Sequence, residues 1–300
     1  MKRWTVSLLA AGLLFNGAVQ AAAPYKALYV FGDSYSDIGR RYLDGNGPTV
    51  PAHLARLMGI PFTYSSDANA GTKSLDFAAT AATTGDDAGS GDWCCLGMMV
   101  QVRDFTSRVK SGTVKFEPDS TLFLLEGGLN DSDLKTEQTV ANLTSEVHQL
   151  KAAGARHFSL ALLPTRIPDF ADIGKRLNPA YVSLVAALQK EGLDIRLNQW
   201  GPTLDAIMEH PAQYGIANTT SQCAGRALFK EDPTPCAAPD TYFFFHSGHP
   251  STAVNKIVAE KLFKELGTVS TNAISATDAG VPAVSGRSFF ACLEHSIQDA

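Results

Sequence analysis

The stretch VFGDSYSDIG, residues 30–39, ends an apolar run in a glycine and then places Ser34 between two aspartates, Asp33 and Asp37. Serine and aspartate are common helix N-caps, and glycine often marks the turn out of a strand. The stretch is therefore consistent with an ordinary strand-to-helix turn shaped by its aspartates. It would also suit a nucleophile held where the carboxyl end of a strand meets a helix N-terminus. The rest of the chain has to decide between these two interpretations.

Apolar runs alternate with amphipathic segments along the chain. Short runs rich in β-formers predict strands at 25–31, 121–125, 157–163 and 194–197, and either a strand or an extended segment at 242–245. Helical periodicity predicts helices at 48–58, 136–153, 178–191, 202–209 and 251–266. Strands that alternate with helices predict an α/β fold with a parallel sheet covered on both faces. In such sheets, ligands bind at the carboxyl ends of the strands.

The composition narrows the class of protein. The chain has 300 residues, of which 45% are hydrophobic and 18% charged. This length fits one large α/β domain or two small ones, with a substantial core. The net charge of −5 provides no basic surface for nucleic acid, so nucleic acid is not an expected partner.

The first 23 residues have the layout of a secretory signal peptide. Lys2 and Arg3 precede a mostly apolar run, residues 4–15, and small residues follow up to Ala23, with cleavage expected near Ala21. The apolar run is shorter than the roughly 20 residues that span a bilayer. No later segment is long and apolar enough, so we expect no transmembrane segment and a secreted or periplasmic protein.

The expected organisation has one domain, residues 24–267, followed by a tail, residues 268–300, that is loosely ordered or docked. The tail is rich in serine, threonine, alanine and glycine. The oligomeric state does not follow from the sequence.

Export would permit disulfides among the five cysteines. Cys223 and Cys236 flank a proline-containing loop and form the expected bridge. The adjacent Cys94 and Cys95 rarely join each other, because the geometry is strained. One of them could instead reach Cys292, which would leave one free thiol.

Polar residues of three kinds follow three of the predicted apolar runs. Ser34 follows the first run, Asn130 lies in EGGLND after the run at 121–125, and His249 lies in HSGHPST after the last. A serine hydroxyl is a weak nucleophile until a neighbouring base, usually histidine, takes its proton. The oxyanion of acyl transfer needs preplaced donors such as an asparagine amide and backbone N–H groups. The three residues therefore predict acyl transfer to serine if they meet at one edge of the sheet.

These motifs resemble those of the GDSL esterases and lipases, also called SGNH hydrolases. FGDSYSD matches the first block of the family, with tyrosine where leucine is usual; GLND matches the third block, and HPST the last. The blocks keep the family order over roughly residues 25–266. The resemblance implies a flavodoxin-like three-layer α/β/α sandwich with a central parallel sheet. It also implies hydrolysis of a small-molecule or lipid carboxylic ester through an acyl-enzyme, with no metal or cofactor.

The resemblance assigns roles to individual residues. Ser34 would be the nucleophile and His249 the general base, and the oxyanion hole would comprise the Ser34 N–H, the Asn130 side chain and a backbone N–H from the second block. That block, usually N-F-A-x-x-G-A, corresponds to DFAATAA at 76–82, with Ala81 in place of glycine. We expect Ala81 to supply the N–H, provided that its backbone does not need a positive φ; Thr80 is the alternative.

The last block departs from the family pattern D-x-x-H, because His246 replaces the aspartate that orients the catalytic histidine. His246 itself, another group, or a Ser–His dyad would then serve His249, or the protein is inactive. Nearby acids such as Asp240 fit poorly. We therefore expect that no carboxylate replaces the aspartate, and that His246→Asp raises kcat.

Several alternatives stay open on the sequence alone. The protein could be an acyltransferase to an alcohol acceptor, or a catalytically inactive binding protein on the same scaffold. His246 and His249 could form a metal site, although no second cluster supplies further ligands. The glycine-rich stretch 85–99 could lead into a core helix, or form a wall of the acyl pocket from Trp93, Met98 and Met99.

Overall fold

The computed structural model describes residues 25–69, 71, 74–87 and 96–267. Their strands are β1 (Ala27–Gly32), β2 (Thr63–Tyr64), β3 (Leu75–Asp76), β4 (Thr121–Glu126), β5 (His157–Ala161), β6 (Asp194–Asn198), β7 (Asn218–Gln222), β8 (Tyr242–His246) and β9 (His249–Pro250). Their α-helices are α1 (Val50–Met58), α2 (Met98–Lys110), α3 (Thr136–Ala152), α4 (Ala171–Lys190), α5 (Trp200–Glu209) and α6 (Thr252–Gly267). Strands and helices thus alternate as the sequence predicts.

The main sheet contains β2, β3, β1, β4, β5 and β6 in that order, and every neighbouring pair is parallel. β1 and β4 are buried along their whole length, as expected for a parallel sheet covered on both faces. The helices pack in two groups, α1 and α5 with α6, and α2 with α3 and α4. The predicted α/β/α architecture with a central parallel sheet is confirmed.

The helix predicted at 178–191 begins seven residues earlier and contains Pro179 in its interior. Proline lacks the N–H that an inner helical turn uses, so the sequence favoured a later start. The earlier turns bury Ile173, Gly174 and Leu177 on the same side as Tyr181. Burial of this apolar face outweighs the lost hydrogen bond.

β8 does not join the main sheet. It pairs with β7 in parallel and with β9 in antiparallel to form a separate three-stranded sheet. In this sheet His246 lies opposite His249. The candidate histidines therefore approach the main sheet from a second, smaller structure.

A disulfide joins Cys223 to Cys236, as predicted. Cys94, Cys95 and Cys292, the expected signal peptide and the expected tail lie outside the described residues. None of the helices in the described part of the chain has the length and apolarity to cross a membrane.

Candidate active site

Ser34 lies directly beyond the carboxyl end of β1. Gly32 pairs with Glu126 at the end of β4, and a Cβ on Gly32 would come within 2.4 Å of the Glu126 carbonyl oxygen. Glycine is required here because the two backbones approach so closely. Asp33 then accepts hydrogen bonds from the Ser36 and Asp37 amides through its carbonyl, which closes the turn around Ser34.

His249 reaches Ser34 across 215 residues of sequence. Its Nε2 lies 2.7 Å from Ser34 Oγ. The Tyr35 hydroxyl donates to the Gly248 carbonyl at 2.6 Å, and Gly248 turns the chain with φ +69°. The serine and histidine that the sequence singled out therefore form a hydrogen-bonded pair.

Burial lowers the pKa of His249 below its ordinary value, while the nearby Asp44 carboxylate acts in the opposite direction. Because desolvation penalises the charged ring, the neutral form predominates near neutral pH. A neutral ring is the state that can accept a proton from serine.

The three residues predicted to supply oxyanion donors each retain an N–H that is not used within the described residues. Asn130 follows β4, and its Nδ2 donates to the Ala82 carbonyl at 2.9 Å, which fixes the side chain against the second block. An amide nitrogen carries two hydrogens, so one is left for a ligand. Within the described residues, neither the Ser34 N–H nor the Ala81 N–H donates to another group. The structure thus leaves a donor available at each residue that the resemblance indicated.

Ala81 has φ +67°, and Lys230 is the only other non-glycine residue with positive φ in the described part of the chain. The condition under which alanine would replace the family glycine without strain is therefore not met. A left-handed backbone costs an alanine about 1–2 kcal/mol. The strain lies at the candidate oxyanion donor, whose N–H donates to no other group in the described part of the chain.

We expect Ala81→Gly to raise the free energy of unfolding by roughly 0.5–1 kcal/mol, since relief of strain exceeds the added flexibility of the unfolded chain. The N–H is retained, so kcat should stay within about twofold of the wild type. Urea unfolding and ester hydrolysis measure the two effects.

The matched control is Ala82→Gly, because Ala82 is fully buried and has no positive φ. This substitution should lower the free energy of unfolding by about 0.5–1 kcal/mol. A loss of stability in both variants would contradict the assignment of strain to Ala81.

Asp44 is the residue that the sequence interpretation missed. We expected that no carboxylate replaces the family aspartate beside His249. The carboxylate of Asp44 is buried and lies 3.3 Å from His249 Nε2, so an anion that this expectation did not include does reach the ring, at the nitrogen that faces Ser34. Burial acts to raise the pKa of Asp44, but the hydrogen bond from His246 and the neighbouring His249 and Arg226 hold it below its ordinary value. Asp44 stays ionised as a result. In the sequence it is part of an Asp-Gly pair, a combination that is typical of turns and gives no signal of a catalytic role.

His246 does not contact His249 directly through a hydrogen bond. Its Nδ1 lies 2.6 Å from Asp44 Oδ1, and both side chains are buried. The predicted orienting residue, His246, therefore bonds the Asp44 carboxylate rather than the His249 ring. His246 and His249 converge on Asp44, and the described residues contain no group of three or more side chains suited to hold a metal ion.

Arg226 completes the charged cluster from the disulfide-closed loop. Its Nε lies 3.0 Å from each carboxylate oxygen of Asp44. Its Nη2 lies 2.7 Å from His249 Nδ1 and donates to the Ser247 carbonyl at 2.5 Å. No sequence motif pointed to this arginine.

Two further carboxyl groups, Asp33 and Glu126, lie buried beneath Ser34. Burial raises the pKa of Glu126 to about 7, and burial together with the charge of Glu126 raises the pKa of Asp33 as well. The Ser36 hydroxyl donates to Glu126 at 3.0 Å. A pair that retains a proton places less negative charge next to the site where an oxyanion would form.

An open cleft of about 820 Å³ extends from Ala81 and Asn130. Its walls combine polar side chains, such as Asp133, Gln138 and Asn142, with apolar ones, such as Met99 and Leu134. Of the residues considered for an acyl-pocket wall, Met98 instead lies in the core, and Trp93 is outside the described residues.

A serine hydrogen-bonded to a histidine, beside unused N–H donors at the end of a parallel sheet, is the arrangement that serine acylhydrolases require. The family model described as GDSL-like lipase/acylhydrolase matches residues 28–262, and the chain belongs to this family. The predicted family and the predicted class, the carboxylic ester hydrolases, are thereby confirmed.

Individual relatives are more distant. The chain is 26% identical to the thermolabile hemolysin of Vibrio parahaemolyticus over 211 residues, which cover 60% of this chain and 49% of the hemolysin. It therefore spans about half the length of that relative. It is 23% identical to a GDSL esterase/lipase of Arabidopsis thaliana, with 86% of this chain and 95% of the plant protein covered. A crystal structure of a lipolytic G-D-S-L family protein from Veillonella parvula has a TM-score of 0.47 at 13% identity, and covers 82% of this chain and 99% of that chain.

Proposed function

We propose that this protein hydrolyses carboxylic esters through an acyl-enzyme intermediate on Ser34. The observation that carries the proposal is the 2.7 Å contact between Ser34 Oγ and His249 Nε2. Ser34 Oγ attacks the ester carbonyl as His249 Nε2 takes the hydroxyl proton, and His249 then delivers that proton to the leaving alcohol. Water repeats the sequence on the acyl-enzyme and releases the acid.

The developing oxyanion would be stabilised by the N–H groups of Ser34 and Ala81 and by the free N–H of the Asn130 amide. Preplaced donors of this kind usually contribute a large share of the rate acceleration in acyl transfer. The cleft beside Asn130, which has both polar and apolar walls, would hold part of the substrate.

Asp44 would stabilise the imidazolium that forms when His249 takes the proton. Its carboxylate lies against Nε2, at 3.3 Å, rather than against Nδ1. The Ser247 carbonyl, 3.0 Å from Nδ1, would accept the other ring hydrogen and fix the ring orientation. Charge stabilisation and ring orientation are thus assigned to two different groups.

Covalent labelling tests the proposal independently of the unknown natural substrate. Diethyl p-nitrophenyl phosphate should release one equivalent of p-nitrophenol per protein and leave a phosphoryl group on the Ser34 peptide, as read by mass spectrometry. p-Nitrophenyl esters from acetate upward should be hydrolysed by unlabelled protein only. Label on another residue, or no label in folded protein, would refute the nucleophile assignment and favour the inactive binding protein. New ester formed from an added alcohol would assign an acyltransferase.

We further propose that the protein is exported and acts on a small-molecule or lipid ester. The signal-peptide layout of residues 1–23 supports export, and so does the Cys223–Cys236 disulfide, because such bonds persist mainly in oxidising compartments. Phospholipids and acetylated sugars extend the ester panel to the two main kinds of alcohol group.

A further inference from the structure

Arg226 is held on a loop that is closed on itself. We call residues 223–236 the Arg226 loop. The disulfide joins its two ends, and the Cys236 amide donates to the Cys223 carbonyl at 2.8 Å. The amides of Cys223 and Ala224 donate to the Phe245 carbonyl of β8, which fixes the base of the loop. The Arg226 amide itself donates to the Glu231 carboxylate at 2.7 Å. The disulfide and these hydrogen bonds therefore fix the base of the loop that carries Arg226 beside the site.

The contact between Arg226 and His249 has a consequence for the ring hydrogens. A guanidinium has only donors, so His249 Nδ1, 2.7 Å from Nη2, must present its lone pair. In a neutral imidazole the hydrogen is then on Nε2. Nε2 is the atom that faces Ser34 Oγ, and a nitrogen that already carries a hydrogen cannot take the serine proton.

The geometry points to Arg226 as a positioning residue that keeps His249 in a resting tautomer, from which turnover starts when the guanidinium leaves Nδ1. This inference rests on the proposed function of Ser34 and His249. The hydrogen on Nε2 exchanges with solvent as Nδ1 gains one, so the ring has the same number of hydrogens before and after. Nε2 is then free to accept the proton of Ser34.

The groups around the His249 ring can stabilise either of its two neutral tautomers. Arg226 at Nδ1 and Asp44 at Nε2 favour the hydrogen on Nε2, whereas the Ser247 carbonyl, 3.0 Å from Nδ1, favours it on Nδ1. Once the ring becomes an imidazolium, its Nδ1–H would face the donor hydrogens of Arg226, which is repulsive. Arg226 can move away from Nδ1 and still bond Asp44, because the carboxylate contact is made by Nε.

Nitrogen-15 NMR of the histidine rings tests the inference directly. The His249 signal is assigned by its loss in His249→Gln. At a pH where the ring is neutral, wild-type Nδ1 should have the shift of an unprotonated nitrogen, and in Arg226→Met it should have that of a protonated one. Because this readout does not depend on ester cleavage, it separates failure of the inference from failure of the proposed function.

Kinetics with a small soluble ester supply the second readout. We expect kcat/KM of Arg226→Met to rise roughly five- to tenfold at high pH, since one hydrogen bond no longer has to break before turnover. The matched control is Arg56→Met, an exposed arginine on α1, which should change neither readout. A protonated His249 Nδ1 in the wild-type protein would by itself overturn the inference. In folded Arg226→Met, either an unprotonated Nδ1 or a fall in kcat/KM would also overturn it.

Discussion

Ser34→Ala is expected to lower kcat for ester hydrolysis by about a millionfold, to the level set by binding and the oxyanion donors alone. The alanine removes the atom proposed to attack the carbonyl, and Ser34 Oγ, at 2.7 Å, is the only hydroxyl among the described residues that hydrogen-bonds His249 Nε2. One hydrogen bond is lost, so the free energy of unfolding should change by no more than about 1 kcal/mol. Stopped assays with p-nitrophenyl acetate and a urea unfolding curve measure the two quantities.

Ser183 provides the matched control for this substitution. It is an exposed serine on α4 whose hydroxyl donates only within its own helix, to the Pro179 carbonyl. Ser183→Ala should keep wild-type activity and stay open to labelling by diethyl p-nitrophenyl phosphate. If folded Ser34→Ala kept more than about one hundredth of wild-type kcat, another residue would have to be the nucleophile.

Asp44→Asn is expected to lower kcat by about 10²–10⁴, because the amide keeps the shape of the side chain but not the charge that stabilises the imidazolium. The pH profile should move as well. Asp44 raises the pKa of His249, so its loss should lower that pKa further. The base must be neutral to accept a proton, and the acid limb of the kcat/KM profile should therefore shift to lower pH. Rates measured across the pH range test both effects.

Asp240 is the matched control, since it is an exposed acid in the segment before β8 and has no contact with the candidate site. Asp240→Asn should leave kcat and the acid limb unchanged. A fall in kcat of Asp44→Asn with an unmoved acid limb would indicate that Asp44 only supports the structure of its loop.

The position of Asp44 also reverses the expectation for His246→Asp. Sequence reasoning predicted a gain in kcat, because it assumed that no anion served His249. In the structure His246 bonds Asp44 at 2.6 Å, so an aspartate there would replace a donor by a second negative charge. We now expect kcat to fall, by roughly tenfold or more. A rise in kcat would indicate that the new carboxylate reaches Nδ1.

The sequence predicted the residues of the site that lie in contiguous motifs. Ser34, Asn130 and His249 each follow an apolar run directly, so a short window contains both the structural and the chemical signal. Asp44 carries no such signal, since its partners His246 and Arg226 are 202 and 182 residues away. The positive φ of Ala81 likewise could not be predicted from the residue type, because alanine does not favour the left-handed region of the backbone.

The helix boundaries show the same division. Periodicity located α3 and α6 to within one or two residues, since each has a regular apolar face. It placed the start of α4 too late, because the local signal of Pro179 was stronger than that of the buried residues before it. Tertiary packing determines where α4 begins, and these contacts can be seen only in the folded chain.

The sequence separation of 215 between Ser34 and His249 also has a consequence during synthesis. Ser34 leaves the ribosome early, whereas His249 and α6, which packs against α1, are translated last of the described elements. A nascent or truncated chain that ends before His249 therefore contains the proposed nucleophile without its proposed base. Under the proposed mechanism, the chain would therefore gain esterase activity only when translation of the domain is almost complete.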